Sequence, residues 1–76
     1  MKEIHLDKYK QLGLKIAYYR KLKGYSQESL ADALQKSPIF IAQVEAPNMD
    51  RAISLDTLFD IADLLDVPAY KFLYFD

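Results

Sequence analysis

Apolar residues recur along the chain at intervals of three and four, interrupted by short polar stretches, which is the pattern of a bundle of short helices. From Asp7, read as an N-cap, Tyr9, Leu12, Ile16 and Tyr19 mark one face, while Lys8, Lys10, Gln11, Lys15, Arg20 and Lys21 fill the others. A Lys-rich last turn followed by Gly24 ends this helix, as a glycine in the left-handed region would. Ser26 restarts the chain as an N-cap, with Glu28 and Ser29 in the first turn and Leu30, Ala31 and Leu34 on the apolar side. This second helix ends near Leu34 or Gln35. Ser37-Pro38 gives another N-cap with proline at the first helical position, so a third helix is predicted from Pro38 to about Glu45, with Ile41 and Val44 inward. A loop from Ala46 to Ile53 carries Pro47, Asn48 and Asp50. Ser54 then caps a fourth helix with the stripe Leu55, Leu58, Ile61, Ala62 and Leu65, and with Asp56, Asp60, Asp63 and Asp66 opposite. Pro68 opens a fifth helical turn or two that ends in Tyr70, Phe72, Leu73, Tyr74 and Phe75. Five short helices and no strand pattern predict an all-α bundle.

The informative segment is Gln27–Val44: two short helices joined by about three residues, with apolar positions at 30, 34, 41 and 44. So short a link forces the helices to meet at a steep angle, and Ala31 is small enough for a close approach. With its flanks, the chain resembles the helix-turn-helix domains of Cro- and CI-type (XRE-like) phage repressors, including the small controller proteins of restriction–modification systems. The matching stretches are LGLKIAYYRKLKGYSQESLADAL, SPIFIAQVE and RAISLDTLFDIADLLDVP, which cover nearly all of Leu12–Pro68. The resemblance implies a five-helix, lambda-repressor-like bundle and a repressor-like, DNA-binding transcriptional regulator. In such a regulator the protein is a dimer whose third helix enters the major groove of double-stranded DNA while the second lies across the backbone.

Residue by residue, the resemblance makes Gln27 the glutamine that touches a phosphate and packs toward the recognition helix. Pro38, Ile39 and Gln43 become groove-facing, with Phe40 extending the same apolar surface. Ser37, Arg51 and Ser54 approach phosphates through hydroxyls, a guanidinium and helix N–H groups. Lys36 replaces an apolar residue and either lays its stem over the core or contacts phosphate. Gln35 stands at the turn position usually held by glycine, where a left-handed conformation costs about 1 kcal/mol. Pro47 stands where many relatives have glycine, and the loop after it is longer than usual. Since Pro38, Ile39 and Phe40 have no hydrogen-bonding side chains, thymine methyls and a bidentate Gln43–adenine pair, worth about 1–3 kcal/mol, carry direct readout. This implies an A·T-rich site, modest specificity or help from DNA shape. Three of these positions stay open: Gln27 also reads as a helix-start residue making a local hydrogen bond, Gln43 as a solvated glutamine, and Phe40 as folded inward with only Ile39 exposed. Lys15, Arg20, Lys21 and Lys23 read as a solvated face. Arg20 also matches a family arginine near the end of the first helix, and a surface ion pair with Glu45 would contribute about 0–1 kcal/mol.

Composition narrows the alternatives. Seventy-six residues with 51% hydrophobic content suit one domain spanning 1–76, with the helix-turn-helix unit at about 26–45 and a dimer contact at 68–76. There is no cysteine and one histidine, His5, read as an exposed N-terminal residue. That leaves no metal site, no cofactor-binding constellation and no nucleophile–base set, so an enzyme is not expected. Asp56, Asp60 and Asp63 read as a solvated face. The longest apolar stretch, Ile39–Ala42, falls far short of the roughly 20 residues that span a bilayer, and Met1-Lys2-Glu3 leads into no apolar leader. A cytoplasmic protein without a membrane partner is expected. Charge is unevenly distributed: residues 1–36 hold eight Lys/Arg and four Asp/Glu, and residues 37–76 hold two and seven. One basic and one acidic face permit phosphate binding without demanding it. The tail Tyr70–Phe75 holds four aromatics, too many for so small a core, and Tyr70, Phe72, Leu73, Tyr74 and Phe75 are predicted to pair two copies in a homodimer on an inverted repeat. The pI of 5.7 and the apolar Pro38-Ile39-Phe40 surface keep a second reading open: a protein-interaction module that has the fold without DNA affinity. With no sensing domain in the sequence, control is expected through concentration or a separate protein partner.

Overall fold

Serine side chains set where three of the four α-helices begin. The computed structural model describes residues 2–46 and 51–75, and the predicted loop's Pro47, Asn48 and Asp50 lie outside them. The helices are α1 (Leu6–Lys23), α2 (Gln27–Leu34), α3 (Pro38–Glu45) and α4 (Leu55–Leu65), with single 3-10 turns at Glu3–His5 and Ala69–Phe72. Among the described residues there is no strand, and the fold is all-α. Among the described residues the five-helix count is corrected to four α-helices and two short turns, because the residues after Pro68 form a 3-10 turn, Ala69–Phe72, and not an α-helix.

Ser26 accepts the Ser29 N–H at 2.9 Å while Ser29 accepts the Ser26 N–H at 2.8 Å, a reciprocal cap in which serine replaces the usual glutamate. Ser37 accepts from the Phe40 N–H at 3.2 Å, and Ser54 from the Thr57 N–H at 3.1 Å. Asp7 does not cap α1. The Glu3–His5 turn carries the helix start back to Leu6, and Asp7 instead accepts a bond from the Gln11 amide one turn on. Three helices end alike, in a left-handed residue at Gly24 (φ 88°), Gln35 (φ 58°) and Asp66 (φ 57°). In each, the next N–H reaches back to a carbonyl of the last turn: Tyr25 to Arg20 (3.1 Å), Lys36 to Ala31 (2.9 Å) and Val67 to Ala62 (3.0 Å). Only the first uses glycine.

The core joins Leu12 and Ile16 of α1, Leu30 and Ala31 of α2, Ile41 and Val44 of α3, and Leu58, Ile61, Ala62 and Leu65 of α4. Leu55, expected on this stripe, is exposed at the first position of α4. Phe72 is fully buried, its ring edge-on to Tyr19 with centroids 5.2 Å apart. This corrects its assignment to a dimer interface: Phe72 completes the molecule's own core. Tyr70, Leu73 and Tyr74 remain exposed and Phe75 is half-buried. His5 is half-buried, not exposed. Gly13 sets how closely α1 approaches α3. A Cβ there would collide with the Val44 backbone carbonyl oxygen, so only glycine allows this approach. No helix among the described residues is long and apolar enough to cross a membrane.

Candidate nucleic-acid interface

α2 and α3 meet through the left-handed turn at Gln35, and one buried carboxylate holds them against α1. Arg20 donates to Glu45 through Nε (2.6 Å) and Nη2 (3.0 Å), and its Nη1 donates to the Tyr25 carbonyl (2.8 Å). Gln27 donates its side-chain amide to the same Glu45 at 2.9 Å. The pair anticipated at the surface is in fact buried, with 8% and 6% of the two side chains exposed. The cause is geometric. Gly13 draws the end of α3 against α1, which shuts water away from both charges. Every buried polar side-chain atom among the described residues has a partner, and that satisfaction is what makes a buried pair tolerable. Gln27 thus packs toward α3, at its C-terminal residue.

With Ile41, Val44 and Glu45 turned inward, α3 presents the opposite side to solvent. At roughly 100° per residue, Pro38, Ile39, Ala42 and Gln43 share that outer edge. Ile39 is 68% exposed, Pro38 is exposed and Gln43 is half-buried. Phe40 takes the inward alternative and packs half-buried on the core. Its ring is flanked by two cations: the Lys36 ammonium 5.5 Å and the Arg51 guanidinium 5.0 Å from its centroid. Phe40 therefore acts as a platform, placing two phosphate-binding candidates far apart in sequence at one side of α3. The capping Ser37 is exposed beside them.

Ser54 is spoken for by its cap and lies beside a different feature, a recess of about 300 Å³ shared with Tyr9, Leu73 and Phe75. The structure thus gathers Lys36, Ser37, Ile39, Phe40 and Arg51 around α3 and sets Ser54 next to the C-terminal tail. On the α2 side, Glu28 and Asp32 line a groove of about 450 Å³ with Lys36 and Pro38. The acidic groove thus reaches the outer edge of α3 at Pro38, and Lys36 belongs both to it and to the Phe40 grouping. No group of His, Asp or Glu able to hold a metal occurs among the described residues.

Sequence reading missed the Phe40 platform and the Gly13 approach. A glycine inside an otherwise strong helical pattern was the available signal for the second. Nothing local could have signalled the first, because Arg51 and Phe40 meet only after the chain has folded back.

A helix pair with this link, these caps and an outward second helix is a helix-turn-helix. The Helix-turn-helix family model matches residues 16–72, and the chain belongs to that family, in its XRE-like branch. The chain is 40% identical over 57 residues to the uncharacterised HTH-type transcriptional regulator YazB of Bacillus subtilis (strain 168), covering 75% of this chain and 80% of that protein. Among solved structures it is similar to SinR, the master regulator for biofilm formation, in complex with DNA. That likeness has a TM-score of 0.75 and 30% identity, over 83% of this chain and 98% of that one. It is also similar to the restriction–modification controller protein C.AhdI from Aeromonas hydrophila, with a TM-score of 0.79 and 27% identity, over 92% and 97%.

Proposed function

We propose that this chain is a DNA-binding transcriptional regulator that acts as a homodimer on an inverted-repeat operator. The observation that carries the reading is the outer edge of α3, free of the protein's own body, with Lys36 and Arg51 fixed beside it on Phe40. Laid in a major groove, Ile39 meets thymine methyls, Gln43 reads adenine, and Lys36, Ser37 and Arg51 contact phosphates. Gln27 approaches the backbone from the start of α2, and Ser54 does so from α4. Residues 1–76 act as one domain, with reading assigned to 26–45. Pairing is assigned to the exposed Tyr70, Leu73 and Tyr74, whose apolar surface a second copy would cover. Two-fold pairing sets the recognition helices about 34 Å apart, one helical turn of DNA. Occupying promoter DNA in this way requires no cofactor and no chemistry. The similarity to a DNA-bound regulator supports this reading.

The deciding experiment selects binding sites from random duplex DNA and follows anisotropy against salt for the wild type, Gln43→Ala and Arg51→Ala. The log–log salt slope of the dimer is expected near −5 if each protomer neutralises about three phosphates. Gln43→Ala relaxes preference at one base position, while Arg51→Ala weakens all sequences alike and lowers the slope by about 1 per protomer. Replacing Tyr70, Leu73 and Tyr74 together by serine gives a folded monomer in sedimentation. No enriched sequence, together with no salt-dependent binding at low ionic strength, would sink the reading. The second reading, a protein-interaction module, would then stand, supported by Glu28 and Asp32 beside Pro38.

A further inference from the structure

The face of α1 turned away from α3 carries three large apolar side chains that the molecule leaves in solvent. Leu14, Tyr18 and Leu22 are 56%, 59% and 67% exposed. Their spacing of four residues places them in one row along the helix, about 12 Å long at 1.5 Å per residue. A shallow dimple flanks the row on each side. One, of about 290 Å³, is edged by Gln11 and Lys15, and the other, of about 450 Å³, by Ala17 and Lys21. Tyr18, whose ring meets Tyr19 edge-on at 5.0 Å, forms the ridge between the dimples.

The charged residues of α1 that border this row along its length are lysines. Lys10 and Lys21 border it on one side and Lys15 on the other. The only carboxylate of α1, Asp7, lies at the helix start, where Gln11 binds it at 3.1 Å.

We infer that the outer face of α1 is a docking surface for an amphipathic α-helix of a partner protein, apolar along one stripe and acidic at its flanks. The apolar row and paired dimples suit a helix whose side chains interdigitate at three- and four-residue spacing. The bordering lysines select acidic flanks. A second copy of this chain is a poor occupant, since two-fold pairing of α1 would set lysines against lysines. A lipid surface also fits less well: the row covers only about 80° of the helix at roughly 100° per residue, narrower than the face of an interfacial helix. Arg20 and Gly13, which meet α3, lie on the other side of α1. A helix docked on this row leaves α3 uncovered, so the surface works independently of DNA reading.

Two synthetic helical peptides of roughly 18 residues test this on the full chain, one with a leucine seam flanked by glutamates and one with the same seam flanked by lysines. The glutamate peptide is expected to shift the backbone amide resonances of residues 14–22, and the lysine peptide to bind at least about tenfold more weakly. Lys15→Glu/Lys21→Glu reverses that preference. Leu14→Ser/Leu22→Ser abolishes binding with the melting temperature preserved, because both side chains are already exposed. Equal binding of the two peptides, shifts centred on α3 or the tail, or no response to either would overturn the proposal. Binding to phosphatidylglycerol vesicles without a peptide response would also overturn it and assign the face to a membrane surface.

Discussion

α1 meets α3 and the C-terminal turn in different ways. Toward α3 it presents Gly13, against the Val44 carbonyl, and Arg20, forked onto Glu45. Toward the C-terminal turn it presents Tyr19, edge-on to the fully buried Phe72. The first seam is directional, with distances and donor angles that admit one register. The second is apolar and obtains its stability from area removed from water, which fixes position only through shape. The seam that supports α3 is thus the one with hydrogen-bond directionality, and the tail meets α1 through burial.

The sharpest way to break this contrast is to disable each seam in turn and follow denaturant unfolding. Glu45→Ala is expected to cost about 3–5 kcal/mol, because it strands the buried Arg20 guanidinium together with the Gln27 amide. Phe72→Ala is expected to cost a similar 3–5 kcal/mol through a cavity. The two should part company on rescue. Arg20→Met/Glu45→Leu removes both charges and should recover much of the loss, whereas no second change at Tyr19 refills the space of a lost ring. If the double variant is as unstable as Glu45→Ala, directionality and not charge burial sets the energy of the first seam.

A smaller effect is expected at Gly13→Ala, about 1–3 kcal/mol, as α1 and α3 are pushed apart. Because that displacement lengthens the Arg20–Glu45 bonds, it should couple to Glu45→Ala in a double-mutant cycle, and additive losses would separate the two features. Smallest is Gln35→Gly, expected to stabilise by about 1 kcal/mol by relieving a left-handed non-glycine residue in the turn, with Asp66→Gly as its counterpart outside the helix-turn-helix. A loss of stability at either position would mean that the side chain supports its turn.

Much of this architecture is legible in the residues themselves. Ser26, Ser37 and Ser54 announce helix starts because capping is local chemistry, and the positions 30, 41, 44, 58, 61, 62 and 65 fall inward because helical periodicity is local geometry. What escaped depends on distance along the chain. Arg20 and Glu45 are named as partners by resemblance, but their burial follows from a backbone approach that Gly13 alone permits. Leu55 has the right period yet stands where the helix has just begun. Asp7 has the right chemistry for a cap, and the 3-10 turn ahead of it moves the helix start past it. In the tail, four aromatics compete for little core space, and only the folded chain selects Phe72 for full burial and Phe75 for partial cover. At the candidate interface, the outer edge of α3 can be drawn from its sequence, while the Lys36–Phe40–Arg51 grouping arises when the chain after α3 returns to it.

Glu45 receives bonds from Arg20 and Gln27 and lies on the side of α3 that faces the protein, so none of the bonds that anchor this helix involves Pro38, Ile39 or Gln43. The fastening of α3 and the surface of its outer edge are therefore separable in one eight-residue rod. Substitutions at Pro38, Ile39 or Gln43 can therefore change what that edge presents to a partner while the same fastening stays in place.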